Sequence, residues 1–257
     1  LKQVSATIIS NTELMPGYHL ICANAPDIAA ASKPGQFVTI RCGEELALRR
    51  PFSIHQITNS GQLCFFFKII GKGTAWLSTC QKGEKLDILG PLGNGFYVKP
   101  TSKMLLLVAG GIGIAPLAFL AQQALVQKKS VTLLLGAHAK GELYPQKLLP
   151  SEIKTVVTTE DGSYGEKGKV TDILSKYVNL SNQIYVCGPL AMYKEIAQQR
   201  QKWQEKKSIQ ISLELRMGCG IGACFSCSIK AKNGVKRVCL DGPVFNLDDI
   251  ILEEVRI

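Results

Sequence analysis

Along the first hundred residues, apolar and polar side chains alternate in short runs: VSATIIS, YHLICANA, GQFVTIRC, FSIHQIT, LCFFFKII and EKLDILG, separated by Pro-Gly and Asn-Ser-Gly turn signals. A period of two puts one set of side chains on a core face and the other toward solvent, so these runs predict strands. Their number and spacing predict an antiparallel β-barrel over residues 1–98, with a sandwich as the alternative closure. From residue 99 the texture changes. KMLLLVAG, VTLLLGA, IKTVVTTE and QIYVCGP are near-continuous apolar runs with helices between them, the pattern of strands buried on both faces. They predict an α/β doubly wound parallel sheet over residues 99–208. Residues 209–215 read as a strand or linker into a small C-terminal domain, 209–257, which makes the expected fold class multidomain.

The uncharged run at residues 104–127, MLLLVAGGIGIAPLAFLAQQALVQ, is long enough to span a bilayer. Glycines and Pro116 interrupt its middle, and it divides into a strand, a glycine turn and an amphipathic helix. No integral membrane span is expected. The opening LKQVSATIIS lacks the basic and apolar regions of a secretory signal, so a cytoplasmic location is expected.

Composition is ordinary for a globular chain of 257 residues, 46% hydrophobic and 19% charged. The net charge of +10 suits nucleic acid, an anionic membrane or an acidic protein. The basic residues are dispersed, however, with no pure run longer than Lys128-Lys129 or Lys206-Lys207, and no nucleic-acid partner is expected. Nine cysteines in a chain without a secretory signal argue against a disulfide framework. Five of them, Cys22, Cys42, Cys64, Cys80 and Cys187, are scattered singly, and four of these five read as small buried hydrophobes.

The other four carry the most specific signal. Cys219, Cys224, Cys227 and Cys239 stand in the spacing C-x4-C-x2-C-x11-C, which begins as a plant-type [2Fe-2S] signature does. Structural zinc usually takes two separated C-x2-C pairs, and the four-residue first gap matches neither; zinc and four unrelated core thiols remain as the alternatives. Gly218, Gly220 and Gly222 favour the binuclear cluster, because its loop must wrap with backbone N–H groups turned inward.

Arg50-Pro51-Phe52-Ser53 is weak alone, since a surface arginine beside an edge proline accounts for it. Gly71-Lys72-Gly73-Thr74, about twenty residues on, adds weight: a glycine turn entering a helix offers free N–H groups to a phosphate, with which Arg50 can pair. Gly110-Gly111-Ile112-Gly113-Ile114-Ala115-Pro116 follows a buried strand and opens a helix, with Pro116 near the first turn. It is not the G-x-G-x-x-G dinucleotide fingerprint. Cys187-Gly188-Pro189 ends another strand at the same carboxyl edge, where open α/β sheets bind ligands.

Together these motifs resemble the ferredoxin–NAD(P)H reductase superfamily over residues 1 to about 205. With MGCGIGACFSC and Asp241-Gly242-Pro243-Val244-Phe245 the chain is similar, over nearly its whole length, to the electron-transfer subunits of NAD-linked (class B) dihydroorotate dehydrogenases. The resemblance implies three cofactors, FAD, a [2Fe-2S] cluster and NAD. It implies that Arg50, Pro51, Phe52 and Ser53 contact FAD, with Ser53 near flavin N5 and Phe52 against the ring system. It also implies that Phe67, Lys68 and Ile69 line the FAD, that Gly73 and Thr74 hold its pyrophosphate, and that Cys187 sits by the nicotinamide. Ser53 and Cys187 are thereby the expected catalytic residues. Gly110, Gly111, Gly113, Pro116, Cys187, Gly188 and Pro189 form the expected NAD crevice. The eleven-residue gap before Cys239 is shorter than in plant-type ferredoxins, which implies a small cluster appendage. His138-Ala139-Lys140 offers no acid at the strand end for a ribose hydroxyl, so NAD rests on the resemblance and Lys140 leaves NADP open.

Electron counting orders the cofactors. Nicotinamide exchanges a hydride and a cluster one electron, so a flavin able to do both must stand between them. The chain offers no base-plus-acid pair for oxidising a carbon substrate; His19, His55 and His138 are isolated. A separate FMN-containing catalytic subunit is therefore expected to supply the electrons, docking on Gly220, Ile221 and Phe225 in a heterotetramer of two chains each. A reductase for a ferredoxin or an oxygenase, and a zinc-stapled nucleotide-sensing module, are the alternative readings.

Overall fold

Alternating burial begins at the N-terminus, where β1 (Lys2–Met15) and β2 (Tyr18–Asn24) form a long antiparallel pair. After a short α1 (Pro26–Ala31), β3 (Phe37–Ile40), β4 (Arg50–Ser53), β5 (Gln56–Ile57) and β6 (Gln62–Lys68) follow, then α2 (Lys72–Thr79) and β7 (Lys85–Leu92). They make one curled antiparallel sheet in the order β4-β3-β7-β1-β2-β6-β5. FSIHQIT, expected as one strand, breaks between β4 and β5. There the Ile54 amide bonds the Gln36 carbonyl at 3.1 Å and the His55 amide bonds the Cys64 carbonyl at 2.9 Å, which turns one edge of the sheet toward the other. Ile8, Ile21, Val38, Ile40, Phe65 and Leu86 fill the interior. This computed structural model describes residues 1–58 and 60–255, so Asn59 of the expected Asn-Ser-Gly turn and residues 256–257 lie outside the described residues.

The second sheet takes β8 (Met104–Gly110), β9 (Ser130–Ala137), β10 (Lys154–Thr159), the short β11 (Glu166–Lys167), β12 (Gln183–Cys187) and β13 (Ser208–Ser212). Between them run α3 (Ile114–Val126), α4 (Val170–Val178) and α5 (Leu190–Arg200). The order β11-β10-β9-β8-β12-β13 is parallel throughout, so the topology reverses between β8 and β12. α3 explains the long uncharged run. It lies between this sheet and strands β5 and β6 of the first, and its residues 114–121 are all buried, so no polar face is required of it.

The C-terminal segment adds a hairpin, β14 (Ser228–Ala231) with β15 (Gly234–Arg237), then α6 (Val238–Asp241) and β16 (Val244–Asn246). β13 and β16 pair antiparallel at the edge of the second sheet, so that sheet reaches past residue 208 on both sides of the cysteine loop. Asn94, just after β7, ties the segment to the first sheet. Its side-chain amide donates to the carbonyls of Leu240 and Asp241, each at 3.1 Å.

The expectation of free thiols is corrected at one pair. Cys22 and Cys64 stand directly opposite on β2 and β6 and are joined as a disulfide. Their register brings together residues that sequence separation keeps 42 apart. Cys42, Cys80 and Cys187 are buried free thiols. Among the described residues no helix is long and apolar enough to cross a membrane.

Candidate functional site

The first locus is built where β4 meets the start of α2. A Cβ on Gly73 would stand 3.0 Å from Arg50 Cγ and 3.2 Å from its Nε, so the bare glycine makes room for the arginine stem beside the helix N-terminus. The first amides of α2 have no intrahelical partner, and Arg50 adds a fixed positive charge beside them, an arrangement with the chemistry to accept an anionic group such as a phosphate. Arg50 itself is oriented by donating to the Leu48 carbonyl at 2.7 Å. Burial pushes the neighbouring Cys42 thiol up to about 11, so it stays protonated there despite Arg50. The Thr74 hydroxyl is engaged with its own loop, accepting from the amides of Ile70 at 2.9 Å and Gly71 at 3.2 Å. It shapes the turn, and its backbone N–H is what it offers to an anion.

Pro51 and Ser53 are half-buried along β4, whereas Phe52 is 6% exposed and lies edge-on to Phe67 at 5.6 Å between ring centroids. Phe67 is itself buried and stacks on His19. Both phenyl rings thus pack in the interior of the curled sheet, so that of the β4 residues expected to contact FAD it is Pro51 and Ser53, beside Arg50, that stay partly exposed. Lys68 is exposed with its ammonium 4.9 Å from the Tyr18 ring centroid, and Ile69 is half-buried with its amide on the Gly17 carbonyl.

The second locus is the carboxyl edge of the parallel sheet at its switch point. A side chain on Gly113 would collide with the Cys187 carbonyl, so the two glycine turns approach backbone to backbone. A Cβ on Gly110 would sit 3.0 Å from Pro189 Cδ. Gly111, at φ +54°, has open space around it, and Pro116 lies buried in the first turn of α3. This brings Gly110, Gly111, Gly113, Gly188 and Pro189 into one crevice, where α/β sheets of this order hold a dinucleotide. The Cys187 thiol is fully buried and aimed at the Ser212 carbonyl, 3.7 Å away, and burial raises its pKa well above the ordinary thiol value. It is therefore a neutral thiol under the crevice floor.

Several groups here carry no sequence signal. Tyr193 accepts from the Gly188 amide at 3.1 Å and donates to the Ser212 carbonyl at 2.5 Å, bracing the Cys-Gly-Pro turn. Glu214 follows β13 as an exposed residue, yet the surrounding protein desolvates its carboxyl and raises its pKa. Glu160 and Asp161, absent from the end of β9, reach it from β10, where their amides bond the carbonyls of Ala137 and His138. Only the pairing of the two strands places these acids beside His138-Ala139-Lys140.

The third locus is the cysteine loop. Its thiols fall into two pairs, the Cys224 amide pointing at Cys219 Sγ and the Cys239 amide at Cys227 Sγ, each from 3.4 Å. The amides of Ala223, Ile221 and Cys224 point at Cys219 Sγ from 3.2, 3.4 and 3.4 Å, and the Gly222 amide points at Cys239 Sγ from 3.1 Å. Among the described residues no three His, Cys, Asp or Glu side chains gather as a single bare ion requires. Four thiols in two pairs, ringed by N–H donors, match a two-iron centre in which each iron takes two thiolates. Gly220 is buried, and its Cβ would meet Thr39 Cγ2 of β3 at 2.8 Å. Of the residues expected to receive a partner, Gly220 thus faces inward, while Ile221 and Phe225 are 47% and 59% exposed. Phe225 holds a left-handed backbone at φ 60° with the Arg237 guanidinium 4.7 Å above its ring.

The iron–sulfur cluster binding domain of dihydroorotate dehydrogenase B matches residues 214–251, and the oxidoreductase NAD-binding domain matches residues 107–198. The electron-transfer subunit of dihydroorotate dehydrogenase B (NAD(+)) from Desulforamulus reducens is 38% identical, with 98% of this chain and 99% of that protein covered. The counterpart from Geobacillus thermodenitrificans is 36% identical, with 96% and 97% covered. Among solved structures, an NADH-dependent reduced ferredoxin-NADP oxidoreductase superposes with a TM-score of 0.88 at 27% identity, covering 97% of this chain and 91% of that one. A ferredoxin NADP+ reductase from Neisseria gonorrhoeae with bound FAD and NADP shares the fold, with a TM-score of 0.65 at 21% identity over 77% of this chain and 90% of the other.

Proposed function

Since the chain belongs to the family of electron-transfer subunits of NAD-linked dihydroorotate dehydrogenase B, we propose that it carries electrons from a separate catalytic subunit to NAD+. Its cofactors are a [2Fe-2S] cluster, FAD and NAD. When bound, the flavin supplies the conversion between single electrons and a hydride.

The observation that carries the reading is the seat of the cysteine loop on the first sheet. Gly220 lies against Thr39, and Thr39 pairs in register with Pro51 of β4. The cluster ligands are thus held one strand away from the flavin locus. Cys219, Cys224, Cys227 and Cys239 hold the iron, and the loop amides stabilise negative charge on the sulfurs. Arg50 and the first amides of α2, including those of Gly73 and Thr74, bind the FAD pyrophosphate, while Pro51, Ser53, Ile69 and the backbone around Phe67 and Lys68 line the flavin. Gly110, Gly111, Gly113, Pro116, Gly188 and Pro189 form the nicotinamide crevice, with Cys187 as a neutral support beneath it.

The partner is an FMN-containing catalytic subunit that oxidises dihydroorotate. It docks over Ile221 and Phe225, which flank the ligand cysteines and are exposed, in a cytoplasmic heterotetramer of two chains each. The isolated chain, loaded with its cofactors, is expected to reduce artificial acceptors with NADH and to leave dihydroorotate untouched until the partner is added. Oxidation of dihydroorotate by this chain alone overturns the proposal.

A ferredoxin-linked reductase is the second reading, favoured by the TM-score of 0.88 to the ferredoxin-NADP oxidoreductase. The protein that co-purifies with the chain from its native source separates the two.

A further inference from the structure

His55 occupies the corner at which the curled sheet turns back on itself. Its backbone is pinned to β6, but its ring leaves the sheet: Nδ1 lies 3.0 Å from the Ala115 carbonyl oxygen and Nε2 lies 2.9 Å from the Tyr144 hydroxyl. A carbonyl only accepts, so Nδ1 carries the proton and Nε2 accepts from Tyr144. The residue is 0% exposed, and burial pushes its pKa down to about 4, which keeps this neutral tautomer in place. Phe66 and Tyr144 wall the ring, with centroids 5.6 and 5.3 Å away. A histidine with no neighbour of interest in the sequence thus joins three distant stretches of chain.

One end of the Nδ1 bond adjoins the first locus and the other lies in the glycine turn of the second. Ser53 is two residues upstream, with Ile54 between them in the interior of the sheet. Ala115 belongs to the Gly110–Pro116 segment, whose Gly113 abuts Cys187. We propose that His55 is a positioning residue for hydride transfer: its bond to the Ala115 carbonyl sets the spacing between the Ser53 strand and the nicotinamide turn. The inference rests on the functional reading above. In the reverse direction, which the assay reads, the C4–H bond of NADH would break and the hydride would carry its electron pair to flavin N5, giving NAD+ and reduced flavin. Misplacing such a pair by about 1 Å costs on the order of 100-fold in rate. The Tyr144 bond orients the ring but ends on a loop outside both loci.

Two variants of the FAD-loaded full chain separate the bonds. In His55→Asn the side-chain amide falls where Nδ1 was and keeps the donor to Ala115; in His55→Gln it falls where Nε2 was and keeps only Tyr144. Flavin bleaching by NADH in stopped flow is expected to slow about 30-fold or more at saturating NADH in H55Q, with KM changed little, and to stay within about 5-fold of wild type in H55N. Tyr144→Phe, which removes only the hydroxyl that bonds Nε2, is expected to stay within about 3-fold. Equal slowing of H55N and H55Q in step with their thermal destabilisation overturns the inference, as does no slowing in H55Q or a 30-fold loss in Tyr144→Phe. A wild-type chain that binds FAD and is not bleached by NADH instead overturns the functional reading.

Discussion

Gly220 of the cysteine loop and Thr39 of β3 are in contact, with no space for a side chain between them: a Cβ on Gly220 would stand 2.8 Å from Thr39 Cγ2. The glycine also holds a left-handed backbone at φ +75°, which a β-branched residue tolerates poorly. Gly220→Val is expected to lift the loop from the sheet at a cost of about 1–3 kcal/mol in stability. NADH should still bleach the flavin at the wild-type rate, while reduction of the cluster, followed by rapid-freeze electron paramagnetic resonance, slows about tenfold or more.

Arg50 stands beside a helix start whose own charge is only partial. A charge-assisted bond to a phosphate is worth about 1.5–3 kcal/mol, so Arg50→Ala is expected to weaken FAD binding by about 10- to 150-fold. Arg50→Lys keeps the charge and loses the planar fork, and an intermediate loss is expected. Fluorescence titration of the flavin-free chain reads both.

Cys239 is buried beside Cys227 and receives the Gly222 amide. Cys239→Ala leaves one iron short of a thiolate and is expected to turn a brown protein yellow, with iron and acid-labile sulfide lost and FAD content unchanged. Bleaching of the flavin by NADH should persist. Loss of FAD together with iron would mean that the two loci do not assemble independently.

Acid stability should carry the signature of His55. Its pKa in the folded chain is about 4 against 6.5 when unfolded, so the unfolded state takes up the proton first. The contribution is complete above pH 6.5 and drains as the pH falls toward 4, amounting to about 2 kcal/mol by pH 5. Urea midpoints at pH 7.5 and pH 5 measure it, and His55→Asn should flatten the difference.

The sequence made some parts of this molecule readable and hid others for definite reasons. Period-two runs and glycine turns are local, so the two sheets, the Gly110–Pro116 turn and the cysteine spacing could be recognised without coordinates. Phe52 could not be placed, because the same alternation that marks a strand does not say which face a ligand covers. His55 and Ala115 are 60 residues apart, and neither belongs to a pattern that announces the other. Glu160 reaches the end of β9 only through sheet pairing, and the Cys22–Cys64 bond exists only because two strands fall into direct register. The FSIHQIT run looked continuous because a corner closed by backbone bonds, from Ile54 to Gln36 and from His55 to Cys64, needs neither glycine nor proline.

β13 leaves the parallel sheet, the chain makes its excursion through the cysteines, and β16 comes back to pair with the strand it left. In sequence the cysteine-bearing portion follows the parallel strands; mechanically it is a hem, stitched along the border of the nucleotide-binding layer. A truncation ending at residue 208 would strip that border away, leaving an unguarded row of backbone donors and acceptors on β12. Such a fragment should aggregate, so grafting this domain onto another reductase would require transplanting the border strands along with the four cysteines.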